Sequence, residues 1–205
     1  FALFFVVLAV ILIRGALETP AAADPAPFIE RAEAFNALIE RDEWGVPHIT
    51  GERDVDVAFG IGYAHSEDDF ATIQEVVIAT RGELASVKGQ DAAITDYLVN
   101  LMGIWETIEA QYDTDLSPEV RAVIEAYADG VNYYAALHPS AVIDGTLPVT
   151  GKDVAAGFMF KSPFFYGLDK TLIAVFEGRI GKSEGLSKEG VDAFLPAKDK
   201  APIGS

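Results

Sequence analysis

The chain has 205 residues, 50% of them hydrophobic and 23% charged, with a formal net charge of −17. That length suits one domain with or without a targeting segment, and the apolar content excludes a disordered chain. A polyanionic nucleic acid would be repelled by this surface, and the lack of cysteine excludes a disulfide scaffold, a thiolate nucleophile and a zinc–thiolate site.

Residue 1 is Phe, so an earlier start is expected. Phe1 to Ile13 carries no polar side chain, and Ala21-Ala22-Ala23 follows. Thirteen apolar residues are too few to span a bilayer but match the apolar region of a secretory signal, with small residues at the cleavage site. Residues 1–23 are therefore read as an export signal, giving a periplasmic or secreted protein. A membrane anchor and a buried core helix are the alternatives. Asp24 to Pro27 reads as a linker.

The stretch from Ala34 through Asp42 reads as a strand, Trp44-Gly45 as a turn and Val46 to Ile49 as a second strand, together a hairpin. A lone hairpin is marginal, so these strands are expected to join a sheet from another segment. Arg53 to Ala64 reads as a helix whose Gly60 and Gly62 each cost about 1 kcal/mol against Ala, which suggests close packing. Ser66 to Asp69 resembles a helix start, with acids favoured by the helix dipole. Phe70, Ile73, Val77 and Thr80 then share one face, and Gly82 ends the run. Short helices are expected over 91–102 and 104–112. Ser117-Pro118-Glu119 is a strong helix start, followed by Val120, Val123, Ile124, Tyr127, Val131 and Tyr134 at amphipathic spacing. Thr150 to Asp153 resembles a capping box opening a helix to about Lys161. Ser162-Pro163 is expected to bend the chain, and 172–179 to form a last short helix.

Two familiar catalytic patterns are missing: there is no H-E-x-x-H and no Walker loop. His48, His65 and His138 have no ligand spacing and read as structural rather than catalytic. Phe158 reads as core by helical spacing. The run Phe160, Phe164, Phe165 and Tyr166 reads either as packing at a bend or as a pocket for an apolar group.

Three blocks, ERDEWGVPHI (40–49), FGIGYAHSED (59–68) and RGELA (81–85) with Gly89, occur in this order. Together they resemble the α-chain of the penicillin acylase family of N-terminal nucleophile hydrolases, above all the acyl-homoserine lactone and aculeacin acylases. The likeness is dense over 39–89 and looser over 35–180. It implies an α+β fold: the predominantly helical α-chain portion of an αββα hydrolase, its hairpin joining a sheet of the β-chain. It also implies an exported precursor with a signal at 1–23, an α-chain at 24–181, a spacer at 182–204 and a β-chain beginning at Ser205. Gly204-Ser205 would be the processing site and Ser205 the nucleophile; the alternative is an incidental Gly-Ser pair. The partner would be the chain's own β-chain, and the substrate a small acylated amide. Phe160, Phe164, Phe165 and Tyr166 would wall the acyl pocket. No cofactor is required. A structural calcium is left unassigned, with Asp169 the nearest acid. A non-catalytic exported acyl-binding protein on the same scaffold, and a membrane-anchored interaction domain, are the other readings.

Overall fold

The computed structural model describes residues 24–168 and 170–171. The segments 1–23, 172–179 and 182–204, and residues Asp169, Gly204 and Ser205, lie outside the described residues. The chain divides after Phe160 into two units.

The described part is mostly helical, with one two-stranded antiparallel sheet. Helix α1 spans Ala26–Ala32 and so begins inside the stretch Asp24 to Pro27 that the sequence reads as a linker. What holds it is distant: Arg31 pairs with Asp129 at 2.8 Å, 98 residues away. Strands β1 (Ala37–Arg41) and β2 (Pro47–Gly51) pair with Ile39 opposite Ile49. The expected start at Ala34 is too early, because the Asn36 N–H donates to Asp56 instead of to a strand. Asp42 organises the turn, its carboxylate accepting from the N–H groups of Trp44 and Val46 at 2.9 Å each. Gly45 supplies the left-handed conformation there, with φ 81°.

Helix α2 runs from Asp54 to Thr80. Its helical ladder breaks at Asp69 (φ −155°, ψ 58°), three residues beyond the expected start at Ser66. The Asp69 carboxylate accepts from the Thr72 N–H and so caps the second half. Ser66 instead sits inside the first half and donates to the Gly62 carbonyl. The helix ends before Gly82, whose φ is 71°. Short helices α3 (Leu84–Lys88), α4 (Ala93–Leu101) and α5 (Ile104–Asp115) follow. Helix α6 spans Pro118–Leu137, with the Ser117 hydroxyl accepting from the Val120 N–H as the sequence implied. Helix α7 spans Gly151–Phe165.

The core lies between α2 and α6. Phe70, Ile73 and Val77 meet Ala128, Val131, Ala135 and Val149, while Ala58 and Phe59 meet Ala126. Small residues on both helices allow this approach. A Cβ built on Gly62 would crowd the backbone of Tyr127, lying 3.0 Å from its carbonyl carbon and nearer still to its oxygen. Gly130 stands in the same relation to Phe59 and Tyr63. The Gly60–Gly62 pair is thus a packing device. A run of rings lines the seam: Phe35 stacks on Phe59 at 4.6 Å, and Tyr133 touches both Phe59 and Tyr63.

The face of the hairpin that carries Ala37, Ile39 and Ile49 packs toward Gly60 on α2. Its other face carries Leu38, Glu40, His48 and Thr50, all exposed.

Candidate functional site

The sequence reads the aromatic run from Phe160 to Tyr166, at the end of α7 and just beyond it, either as packing at a bend or as a pocket, and the start of that helix is fixed by a dense set of hydrogen bonds. Thr150 and Asp153 form a reciprocal capping box. The Thr150 N–H donates to Asp153 Oδ2 at 2.8 Å, and the Asp153 N–H donates to Thr150 Oγ1 at 3.3 Å. Asp153 is 3% exposed, so its charge needs a partner. Arg81, at the end of α2, provides one in bidentate geometry, with Nε and Nη2 donating at 2.8 and 2.9 Å. The remaining Arg81 N–H groups donate to the carbonyls of Gly145, Thr146 and Pro148 at 2.7–3.0 Å. All five donors of the guanidinium are used.

Two more buried side chains pin the same loop. Gln74 donates to the Ala141 carbonyl and accepts from the Ile143 N–H. Asn132 exchanges two hydrogen bonds with the backbone of Val149, at 2.7 and 2.8 Å. The connection 141–150 has little regular structure of its own, so these side chains satisfy its backbone groups. The RGELA block (81–85) gains its meaning here. Arg81 anchors the loop, and the N–H groups of Leu84 and Ala85 donate to the Asp96 carboxylate, which fastens α3 to α4.

Along α7, Asp153, Ala156 and Phe160 recur at one-face spacing and are buried. Phe158 falls on the opposite side and is 70% exposed, so the expectation that it belongs to the core is wrong. Its two-residue offset from Phe160 turns it about 200° around the helix axis. Pro163 does not bend the chain out of the helix as expected. It lies in the last turn, where it removes a single hydrogen-bond donor. In the second unit Phe164 is half-buried, while Phe165 and Tyr166 are exposed and meet edge to face at 5.4 Å. Ser205, Gly204 and Asp169 lie outside the described residues.

The three histidines all have partners. His48 Nε2 lies 3.2 Å from Asp42, and His65 Nδ1 lies 2.7 Å from the Tyr127 hydroxyl. His138 packs on Tyr134 at 4.3 Å. Burial pushes the Tyr127 phenol up to about 12. Glu67 and Asp68 both pair with Arg41, at 3.0 and 2.9 Å, so a cation already sits on two of the three consecutive acids. Among the described residues, no three acid or imidazole groups converge as a metal site. Arg53 ion-pairs with Asp56 and, with backbone N–H donors from Asn36 and Arg53, holds that carboxyl down at about 2.

The penicillin amidase family model matches residues 36–162, which contain all three sequence blocks and the anchored loop. The acyl-homoserine lactone acylase QuiP of Pseudomonas fluorescens is 31% identical over 101 residues, 49% of this chain and 12% of that protein. Aculeacin-A acylase of Actinoplanes utahensis is 40% identical over 65 residues, 32% of this chain and 8% of that protein. The chain therefore spans a small part of the length of the curated relatives it matches. A solved structure of thermostable penicillin G acylase from Alcaligenes faecalis superposes with a TM-score of 0.55 at 22% identity. The match covers 83% of this chain and 97% of that one. The fold agrees with that structure, and the family match extends over more than half of the residues. The chain belongs to the penicillin amidase family.

Proposed function

We propose that this chain is the α portion of an exported acylase that hydrolyses a linear amide and releases its acyl group. The observation that carries the proposal is the family match over 36–162, among relatives named as acylases of homoserine lactones, penicillins and aculeacin. Substrates of the same kind follow: N-acyl-homoserine lactones and acylated peptides first, β-lactam side-chain amides after them.

In this proposal residues 1–23 direct export to the periplasm or beyond, and 182–204 form a spacer removed during maturation. Ser205 begins the β-chain, which remains as the partner of the α-chain. The β1–β2 hairpin, whose outer face is exposed, adds to the β-chain sheet.

The chemistry needs only Ser205 at the reacting centre. In the precursor its hydroxyl attacks the Gly204 carbonyl. The C–N bond breaks as the acyl group shifts from nitrogen to oxygen, and water then hydrolyses the ester. This frees an α-amine with an ordinary pKa of about 7.7–8.0, suited to act as base at neutral pH. In turnover that amine takes the hydroxyl proton while the oxygen attacks the substrate amide. The proton passes to the departing amine, and water releases the acid from the acyl-enzyme. No histidine is needed, in keeping with His48, His65 and His138 being held by other partners. Phe160, Phe164, Phe165 and Tyr166 would wall the acyl pocket.

Replacing Ser205 by Ala in the full-length precursor tests this. Loss of both self-cleavage and acyl-homoserine lactone turnover is expected. Normal cleavage in that variant would remove Ser205 as nucleophile.

A further inference from the structure

The Arg81 guanidinium spends all five of its donors on one target, the loop and helix start that lead into Phe160. Two helical turns separate Asp153 from Phe160, and both lie on the same buried line of α7. A helix transmits a displacement at its start along its length, because interiors are close-packed and low in compressibility. We infer that Arg81 is a positioning residue for acyl-group selectivity. Its fork on Asp153 sets where Phe160 stands, and so how long an acyl chain is accommodated. This rests on the acylase reading and on Phe160 walling the acyl pocket.

The arrangement separates this role from general stability. The same loop is also held by Gln74 and Asn132, so loss of the Arg81 fork leaves it pinned at Ala141, Ile143 and Val149. The start of α7 would be loosened without being released. Lysine at 81 keeps a positive charge beside Asp153. It cannot reproduce a bidentate contact together with three carbonyl contacts, since its ammonium is a point donor and not a planar fork. Self-cleavage at Ser205 is intramolecular and places no acyl chain in the pocket, so it should not register the change.

The test uses the full-length precursor as wild type, Arg81→Lys and Asp153→Asn. Cleavage before Ser205 is followed by mass, and turnover is measured on N-hexanoyl- and N-dodecanoyl-homoserine lactone. In R81K, complete cleavage is expected. The ratio of KM values for the two substrates should move by about tenfold while the ratio of kcat values moves less than about twofold, the mark of altered substrate binding. D153N should move the KM ratio in the same direction, and it carries the test if R81K fails to accumulate. An unchanged KM ratio with normal cleavage overturns the inference. A parallel loss of cleavage and of turnover on both substrates also overturns it, since that would mean a purely structural role. A wild-type protein that neither cleaves nor hydrolyses either lactone overturns the acylase reading itself, and this inference with it.

Discussion

Gly62 stands at a close approach of α2 and α6, and replacing it by Ala sets two opposite effects against each other. Alanine gains about 1 kcal/mol of helix propensity over glycine. Its methyl, however, would sit 3.0 Å from the Tyr127 carbonyl carbon and 3.3 Å from its Cα, with the oxygen closer, where ordinary contact begins near 3.4 Å. These are backbone atoms, so no rotamer change relieves the clash and the helices must part. A gap of about 0.5–1 Å forfeits a quarter to a half of the dispersion energy at each contact it opens. Overpacking of this kind costs about 1–3 kcal/mol, and a backbone clash belongs at the upper end. The net loss expected for Gly62→Ala is about 2 kcal/mol after the propensity gain. That corresponds to a fall in Tm of about 4–8 °C for a unit of 150–250 residues, and to a smaller fall in the longer full-length protein. Gly130→Ala forces apart the same two helices, so the double variant should lose less than the sum of the single losses. Thermal melts of the full-length protein read all three. A Gly62→Ala variant as stable as wild type would refute the close-packing account.

Other glycines should respond according to what a methyl would meet. At Gly157 the nearest atom is Val76 Cγ1 at 3.5 Å, ordinary contact, so Gly157→Ala should stabilise by about 0.5–1 kcal/mol in the same melts. At Gly60 the obstacles are Ile49 Cγ2 and Ala37 Cβ, side-chain atoms of the hairpin and not the backbone of a packed helix, so Gly60→Ala should cost less than Gly62→Ala. The Asp56 carboxyl is held at about 2 in the folded chain, against 3.8 ordinarily. The unfolded state therefore binds its proton first as pH falls. The contribution of Asp56 is complete above about pH 4 and is lost as pH drops toward 2. Acid titration of stability should show a shallower loss across that window in Asp56→Asn, which starts from a lower plateau; an identical acid limb would contradict the assignment.

What could be read before folding was what local chemistry carries. The hairpin was legible because Trp44-Gly45 marks a turn between two β-rich runs, although Asp42, read as the end of the first strand, belongs to the turn it organises. The starts of α6 and α7 were legible because Ser117-Pro118 and Thr150–Asp153 carry their caps in sequence. The role of Gly60 and Gly62 was legible because glycine inside a helix needs a reason. Features held by distant partners could not be read this way. Helix α1 was not read, and its first two residues were taken as linker, because the partner of Arg31, Asp129, is 98 residues away. Arg81 was part of a recognised block, but its task depends on carbonyls and a carboxylate 64 to 72 residues downstream. Phe158 was misplaced because two aromatics two residues apart cannot share one helical face, and only packing decides which turns inward. The acyl-pocket residues were proposed by resemblance. The structure places Phe160 inside and leaves Phe165 and Tyr166 exposed.

The central claim is that the chain continues past a self-processing site at Ser205. Intact mass and N-terminal sequencing of the purified product of the full-length precursor test it most directly. The account predicts a large fragment whose first residue is Ser205, formed without added protease and absent from Ser205→Ala. An uncut precursor, or a fragment beginning elsewhere, would contradict it.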